Sequence, residues 1–276
     1  MPEGDTIFRA ARTLDRALAG RTVTRFESVL PALGRVDYDT PLAGRTVERV
    51  EARGKWVLMH FSGDLTLLTH MRMSGSWHIY RPGEKWQLAR GRMRVAIETA
   101  EMLAVGFDVP VAEFHTAATL ARREGFAGLG PDLLAADFDA ATAIANLAGR
   151  GDLELGMALL NQALVAGIGN AFKSEIAFAC GLNPFRKVAT LTGDQLAELV
   201  EVARKYLRAN VTEGSGHFRR TTGSLDREEN LWVYGRAGNA CRRCGAEIRQ
   251  RKHTGDGRVS FWCPACQTMV VAPASR

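Results

Sequence analysis

Two pairs of cysteines near the C-terminus constrain the fold of this 276-residue chain more than any other feature. The pairs are Cys241 with Cys244 and Cys263 with Cys266, and 18 residues separate them. Two C-x2-C motifs at this separation are typical of a structural zinc site with four thiolate ligands. Two disulfides are the alternative, but thiols stay reduced inside cells. The spacing therefore predicts one zinc ion as cofactor.

The sequence between the cysteine pairs predicts a β-hairpin. Residues 247–252 and 259–262 alternate like strands, and residues 254–257 form a glycine-rich turn between them. Arg258 follows that turn directly. A rigid hairpin would direct this guanidinium towards a phosphate, although a solvated arginine at the end of a loop fits its position equally well.

Charge is concentrated in the same region. Residues 230–276 contain eight basic and two acidic residues, a net charge of +6 that equals the net charge of the whole chain. A basic segment on an otherwise neutral protein indicates contact with a polyanion. A solubilising charged tail is the alternative that charge alone leaves open.

Composition and the N-terminal residues bear on where the protein works. Hydrophobic residues make up 46% of the chain, enough for a packed core. No apolar run approaches the ~20 residues that cross a bilayer. Residues 1–5 lack the basic and apolar regions of a secretory signal. We therefore expect a soluble cytoplasmic protein that does not bind membranes.

Hydrophobic periodicity changes twice along the chain. Residues 5–18 repeat at helical spacing up to Gly20, and seven strand-like runs follow, which predict a β-sandwich. These runs are residues 22–26, 47–51, 55–61, 65–70, 76–80, 93–98 and 102–107. Helices are predicted near residues 139–148, 154–166, 171–180 and 193–211, and a mobile loop at 213–228. The fold class is therefore α+β.

A glycine-rich turn lies within the helical region. We expect one helix to end at Gly167, the chain to turn at Gly169, and Asn170 to cap the next helix. Exposed amides beside a helix N-terminus favour an anion, and Lys173 adds a positive charge one turn later. On these residues alone, an ordinary connection between helices is the better interpretation.

The second residue has the most distinctive chemistry. If Met1 is removed, Pro2 becomes a secondary amine, and α-amino groups have pKa values near 8. Its attack on a sugar carbon would give a cationic iminium, which acidifies the neighbouring C–H and permits elimination. Glu3 could serve as the acid that opens the sugar ring. Taken alone, the two residues are better explained as a helix start.

Read together, four motifs change that balance. Met-Pro-Glu-Gly at residue 1, Gly-Lys-Trp at 54, Gly-x-Gly-Asn at 167 and Tyr-Gly-Arg-x-Gly-x-x-Cys at 234 closely resemble, in order, the formamidopyrimidine-DNA glycosylase and endonuclease VIII family. The resemblance implies a β-sandwich, a helix–two-turn–helix domain and a C-terminal β-hairpin zinc finger, with DNA in the cleft between the domains. It assigns residues 1–124 to the catalytic β-sandwich domain, 125–229 to the helical domain and 230–276 to the zinc finger.

The resemblance also implies catalytic roles. Pro2 matches the nucleophile that forms a Schiff base, Glu3 matches the general acid and base, and Lys55 matches a strand lysine that holds a DNA phosphate. The implied activity is that of a bifunctional DNA glycosylase and AP lyase of base excision repair, which completes β,δ-elimination. The implied partner is double- or single-stranded DNA with damaged bases or abasic sites, bound by a monomer.

Further residues match the DNA contacts of the family. Asn170 and Arg258 match the pair that clamps phosphates beside the lesion, and Lys173 lies beside them as a further DNA contact. Met73 matches the wedge that fills the gap left by a flipped base, and Arg72 is placed to read the opposite base. Glu175 is expected to have a supporting role.

Departures from the family pattern bear on the substrate. Residues 106–110 lack the Arg-x-Phe pair of the oxidised-purine branch, which favours the endonuclease VIII branch and oxidised pyrimidines. Ser74 occupies the position of an endonuclease VIII tyrosine, and Thr6 that of a frequent glutamate. A glycosylase for 8-oxoguanine and formamidopyrimidines, and a non-catalytic damage-binding zinc protein, remain as alternatives.

Overall fold

The computed structural model describes residues 2–211, 218–254 and 258–269. The chain divides into two compact units, residues 1–128 and 129–276. Part of the predicted loop at 213–228 and most of the predicted turn at 254–257 lie outside the described residues. Within the described part, every helix is too short or too polar to cross a membrane.

The N-terminal unit is a helix packed on a β-sandwich. Helix α1, Gly4–Leu18, buries Ile7, Ala11 and Leu14, which share one face at helical spacing. One sheet has the strand order β1-β6-β7-β5 and the other β2-β3-β4-β8, with antiparallel pairing throughout. The strands are β1 Val23–Ser28, β2 Val47–Arg53, β3 Trp56–Phe61, β4 Leu65–His70, β5 Ser76–Tyr80, β6 Met93–Thr99, β7 Leu103–Phe107 and β8 Val111–His115.

Sequence patterning missed two α-helices and one strand of this unit. Helix α2, Pro31–Asp39, buries only Leu33, so it has almost no apolar stripe for periodicity to detect. Strand β8 follows Pro110 at a sheet edge and has five half-buried residues, so the alternation between faces is lost. Helix α3, Ala117–Leu120, is a single turn.

The C-terminal unit combines helices with a small hairpin. Its described helices are α4 Ala140–Ala148, α5 Leu155–Leu160, α6 Asn170–Ala179 and α7 Gly193–Ala209. Strands β9, Arg249–Lys252, and β10, Val259–Trp262, pair in antiparallel fashion. Leu159, Phe172, Ile176 and Leu199 are completely buried between the helices. The expected order of helix, sandwich, helical region and C-terminal hairpin is therefore confirmed.

The helix predicted over residues 154–166 was wrong beyond Leu160, where α5 ends. The side chain of Gln162 takes over the backbone hydrogen bonds of the following turn. Its Nε2 donates to the carbonyls of Leu160 at 2.8 Å and Ile168 at 3.0 Å, and its Oε1 accepts from the amide of Gly167 at 3.0 Å. Helical periodicity does not record such side-chain substitutes, so the prediction ran through the turn.

The predicted cap of the next helix was also wrong. Gly169 is the residue that precedes α6, and Asn170 is the first residue inside the helix. The carboxamide of Asn170 bonds instead to Lys173, one turn further along α6. Because its oxygen accepts a hydrogen bond from Lys173, the side chain of Asn170 does not cap the helix.

Candidate functional site

The N-terminal helix and the second strand run in opposite directions. The amide of Gly20, just after α1, donates to the carbonyl of Val47 at 2.8 Å. Further back along α1, Asp15 Oδ1 accepts from the amide of Val50 at 2.7 Å. The N-terminal end of α1 therefore lies towards the end of β2, where the turn into β3 begins.

The start of α1 and the turn between β2 and β3 lie at this end of the unit. From Asp15 back to Glu3 the helix spans roughly 18 Å. From Val50 forward, β2 stays extended as far as Arg53, and the turn of Gly54 and Lys55 follows. The two paths run side by side, so the three predicted catalytic residues share one end of the α1–β2 pair.

Glu3 is both a helix start and a buried acid. Its carbonyl accepts the amides of Thr6 at 2.9 Å and Ile7 at 3.0 Å, which begins α1. Glu3 is only 1% exposed, whereas the preceding Pro2 is half-buried and accessible. A buried acid that directly follows a half-buried proline in the chain fits proton transfer next to a nucleophile.

Lys55 lies in a turn, so its predicted place on a strand was wrong. Arg53 pairs with Trp56 across the β2–β3 hairpin, which makes Gly54 and Lys55 the two turn residues. Gly54 has a φ of 60°, in the region that two-residue hairpin turns require. Lys55 is half-buried at the tip of the hairpin.

Positive charges surround His70 at the end of β4. The pKa of His70 falls to about 4, because burial and the cations of Arg72, Lys55 and Arg123 all disfavour its protonated form. His70 is therefore neutral at physiological pH. The charges of Arg72, Lys55 and Arg123 act on His70 together, and such a group of cations favours an anion nearby.

An aromatic residue connects this cluster. The rings of Trp56 and His70 meet edge to face with centroids 4.8 Å apart, and Arg123 lies 4.6 Å above the Trp56 ring. The Arg123 guanidinium donates to both carboxylate oxygens of Glu113, through Nε and Nη2, each at 2.9 Å. The bidentate pair holds Arg123 against the tryptophan.

The predicted wedge lies on a rigid loop that follows β4. Neutral His70 accepts the amide of Arg72 through Nδ1 at 3.0 Å, and Arg72 has a left-handed φ of 48°. Gly75 closes the loop on Met71, where a Cβ would lie 2.7 Å from the Met71 carbonyl oxygen. Met73 is 71% exposed. An exposed apolar side chain on a constrained loop suits insertion into a base stack.

The four cysteines of the C-terminal unit come together as a candidate metal centre. Their sulfur atoms all lie within 4.8 Å of one another. Cys241 and Cys266 are 4.0 Å apart, and Cys244 and Cys263 are 3.5 Å apart. These separations exclude disulfides, whose sulfurs lie about 2.05 Å apart. They match the edges of a tetrahedron of thiolates around one ion at about 2.3 Å.

Glu175 has a larger role than the sequence indicated. It is completely buried on α6, and its carboxylate accepts three successive backbone amides. These are Trp232 at 2.8 Å, Val233 at 2.8 Å and Tyr234 at 2.7 Å, and the hydroxyl of Thr221 donates as well. One carboxylate therefore holds the segment that leads into the cysteine cluster.

The two predicted phosphate-binding residues of this unit lie at the start of helix α6 and just before the strand β10. Asn170 is half-exposed at its N-terminus, and exposed Arg258 precedes β10. Between them lies Lys173, for which the sequence predicted a DNA contact. The structure instead buries Lys173 completely, and its Nζ donates to Asn170 Oδ1 at 2.7 Å and to the Val259 carbonyl at 3.0 Å.

Comparison with known proteins gives consistent matches along the chain. Residues 1–108 match the Formamidopyrimidine-DNA glycosylase N-terminal domain, and residues 129–221 match the Formamidopyrimidine-DNA glycosylase H2TH domain. Probable endonuclease 8 2 of Streptomyces coelicolor is 43% identical, with 100% of this chain and 96% of that protein covered. DNA-(apurinic or apyrimidinic site) lyase Nei2 of Mycolicibacterium smegmatis is 39% identical, with 97% and 99% covered.

Solved structures share the fold. The Lactococcus lactis Fpg in complex with an abasic site containing DNA superimposes with a TM-score of 0.82 at 24% identity, covering 97% of this chain and 100% of that one. MutM in complex with carbocyclic 8-oxo-G containing DNA matches with a TM-score of 0.82 at 23% identity. Sequence similarity to the endonuclease 8 proteins is therefore higher than to these structures.

The buried carboxylate of Glu175 provides a direct test of the packing. Glu175→Gln keeps the size of the side chain but turns an acceptor oxygen into a donor that faces backbone amides. We expect the free energy of unfolding to fall by about 3 kcal/mol. Glu198→Gln, on the exposed face of α7, is the matched control and should change stability by less than about 0.5 kcal/mol. Urea unfolding followed by circular dichroism measures both, and equal stability of the two variants would contradict the assignment.

Proposed function

Because the chain belongs to the formamidopyrimidine-DNA glycosylase and endonuclease VIII family, we propose that it is a bifunctional DNA glycosylase and AP lyase of base excision repair. The observation that carries the proposal is the pairing of accessible Pro2 with the buried acid Glu3 at the cationic end of the N-terminal unit. Curated relatives named endonuclease 8 and DNA-(apurinic or apyrimidinic site) lyase support it.

The proposed reaction begins at the N-terminal nitrogen. After loss of Met1, the lone pair of Pro2 attacks the C1′ carbon of the damaged nucleotide, and the bond from C1′ to the base breaks. Glu3 donates its proton to the ring oxygen O4′, so the sugar opens and C1′ becomes an iminium. The iminium withdraws electrons, the carboxylate that Glu3 has become accepts a proton from C2′, and the 3′ phosphate departs by β-elimination. A second elimination releases the 5′ phosphate, and water then frees the amine.

Backbone phosphates are the proposed ligands of the cationic groups. Lys55 near His70 provides positive charge beside the reacting sugar, and Arg72 beside the wedge reads the opposite base. Asn170 and Arg258 bind phosphates from the C-terminal unit. Met73, exposed on its rigid loop, fills the gap that the flipped nucleotide leaves. The substrate is therefore DNA with a damaged base or an abasic site.

The metal that fits the cysteine cluster is zinc. Four thiolates at tetrahedral separations match zinc in both ligand type and geometry. With four protein ligands the ion has no open position, so it supplies structure and no reaction step. Cys241, Cys244, Cys263 and Cys266 would hold the hairpin from which Arg258 projects.

Oxidised pyrimidines are the proposed substrate class. Strand β7 ends at Phe107, which is completely buried, and Asp108 is occupied by a 2.6 Å contact from Arg92 Nε. This segment therefore offers neither the arginine nor the exposed aromatic of the oxidised-purine branch. The higher identity to endonuclease 8 proteins supports the same choice.

Substrate class can be measured on matched duplexes. We expect excision of an oxidised pyrimidine to be at least about tenfold faster than excision of 8-oxoguanine opposite cytosine, a difference that a few pocket contacts provide. Single-turnover kinetics with the same flanking sequence would give both rates. A faster reaction on 8-oxoguanine would instead support the purine-type alternative.

Base excision and cleavage at an abasic site should depend on Glu3 to different extents. An abasic sugar already equilibrates with an open aldehyde, whereas an intact nucleoside needs acid to open its ring. Glu3→Gln should therefore lower base excision by about 100-fold or more and lower cleavage at a preformed abasic site by less than about tenfold. Single-turnover rates on the two substrates provide the comparison. Equal losses on both would remove the ring-opening role from Glu3.

A further inference from the structure

Lys173 is the cation of helix α6, and the proposed reaction gives it no role. Its side chain is completely buried, and burial of an ammonium is costly unless strong acceptors surround it. Two of its acceptors are Asn170 Oδ1 at 2.7 Å and the carbonyl of Val259 at 3.0 Å. A buried cation with these partners indicates a positioning task.

The contact with Asn170 decides which way its carboxamide faces. A lysine ammonium only donates hydrogen bonds, so the atom it meets must be the amide oxygen. With Oδ1 turned inward to Lys173, the NH₂ group of the half-exposed Asn170 points away from the ammonium. Asn170 is thereby presented as a hydrogen-bond donor, which is what a phosphate oxygen requires.

The contact with Val259 connects the same cation to the arginine. Val259 follows Arg258 directly and is the first residue of β10. The carbonyl of Arg258 accepts the amide of His253 at 2.9 Å, and this hydrogen bond closes the hairpin at its turn end. Two residues beyond Val259, the amide of Phe261 donates to Ser174 Oγ at 3.3 Å. Two side chains of α6 therefore fix the strand that Arg258 directly precedes.

A second buried network holds the other strand of the hairpin. His253 is 3% exposed, and its ring bonds to Glu154 at the start of α5 and to Ser260 Oγ. Gly156 leaves the space for this ring, since a Cβ there would lie 2.6 Å from it. Contacts therefore hold the hairpin at both of its strands, and they define the position of the Val259 carbonyl relative to Lys173.

We infer that Lys173 is a positioning residue that turns the Asn170 amide outward, so that Asn170 binds a phosphate beside Arg258, whose strand Ser174 and His253 hold as well. The inference rests on the proposed DNA-binding function. It replaces the direct DNA contact that the sequence predicted for Lys173.

A double-mutant cycle tests this role. The variants are Lys173→Met, Asn170→Ala and both together, and the ligand is a duplex with a stable abasic-site analogue. If Lys173 acts through Asn170, Lys173→Met should weaken binding about tenfold in the wild-type background. In the Asn170→Ala background it should weaken binding less than about twofold, because the group it positions is gone. Additive effects would overturn the inference.

Salt dependence distinguishes positioning from direct contact. A lysine that touches a phosphate lowers the slope of log affinity against log salt by about one, even when Asn170 is absent. We expect no change of slope for Lys173→Met in the Asn170→Ala background. A change of about one there would establish a direct contact and contradict the inference. Lys205→Met, on the exposed face of α7, controls for loss of charge alone.

Asn170→Asp provides a test that does not remove the buried lysine. Aspartate keeps an oxygen for Lys173 but replaces the outward NH₂ group with a carboxylate oxygen that repels phosphate. We expect weaker DNA binding by Asn170→Asp than by Asn170→Ala, and the reverse order would contradict the outward orientation. If the wild-type protein binds the duplex and cuts abasic DNA, the proposed function holds whichever way these variants behave.

Discussion

The buried carboxylate of Glu175 is the interaction on which the C-terminal unit depends. It accepts three consecutive backbone amides from residues 232–234 and so determines how the chain enters the cysteine cluster. Within the same two turns of α6, Lys173 and Ser174 bond to strand β10. The helix therefore positions both ends of the zinc-finger region. Asn170 is the first residue of this helix, so these contacts fix its position as well.

The N-terminal unit positions its proposed catalytic residues in a different way. The opposite directions of α1 and β2 bring the start of the helix, with Pro2 and Glu3, to the same end as the turn that contains Lys55. The hydrogen bonds of Asp15 to Val50 and of Gly20 to Val47 set that register. Burial and the cations of Arg72, Lys55 and Arg123 then lower the pKa of His70 and keep it neutral. A neutral His70 can accept the Arg72 amide that shapes the wedge loop.

Local signals in the sequence predicted much of this arrangement. Cysteine spacing indicated a metal centre, and the four sulfurs do lie together. Strand periodicity located seven of the eight sandwich strands, and it missed β8 because an edge strand of half-buried residues has no alternation. The end of α5 was missed because the amide of Gln162 replaces helical hydrogen bonds. The roles of Glu175, His70 and Lys173 depend on partners that are distant in sequence or on burial, which residue type and spacing do not reveal.

The central claim is that the nitrogen of Pro2 attacks the sugar, and borohydride trapping tests it most directly. Wild-type protein lacking Met1 is incubated with an abasic-site oligonucleotide and borohydride, which reduces an imine to a stable amine. The adduct is then digested and located by mass spectrometry. The account predicts a covalent protein–DNA species with the adduct on the N-terminal peptide at Pro2, and none when one residue precedes Pro2 and makes its nitrogen an amide. An adduct on Lys55, or no adduct despite tight DNA binding, would contradict the account.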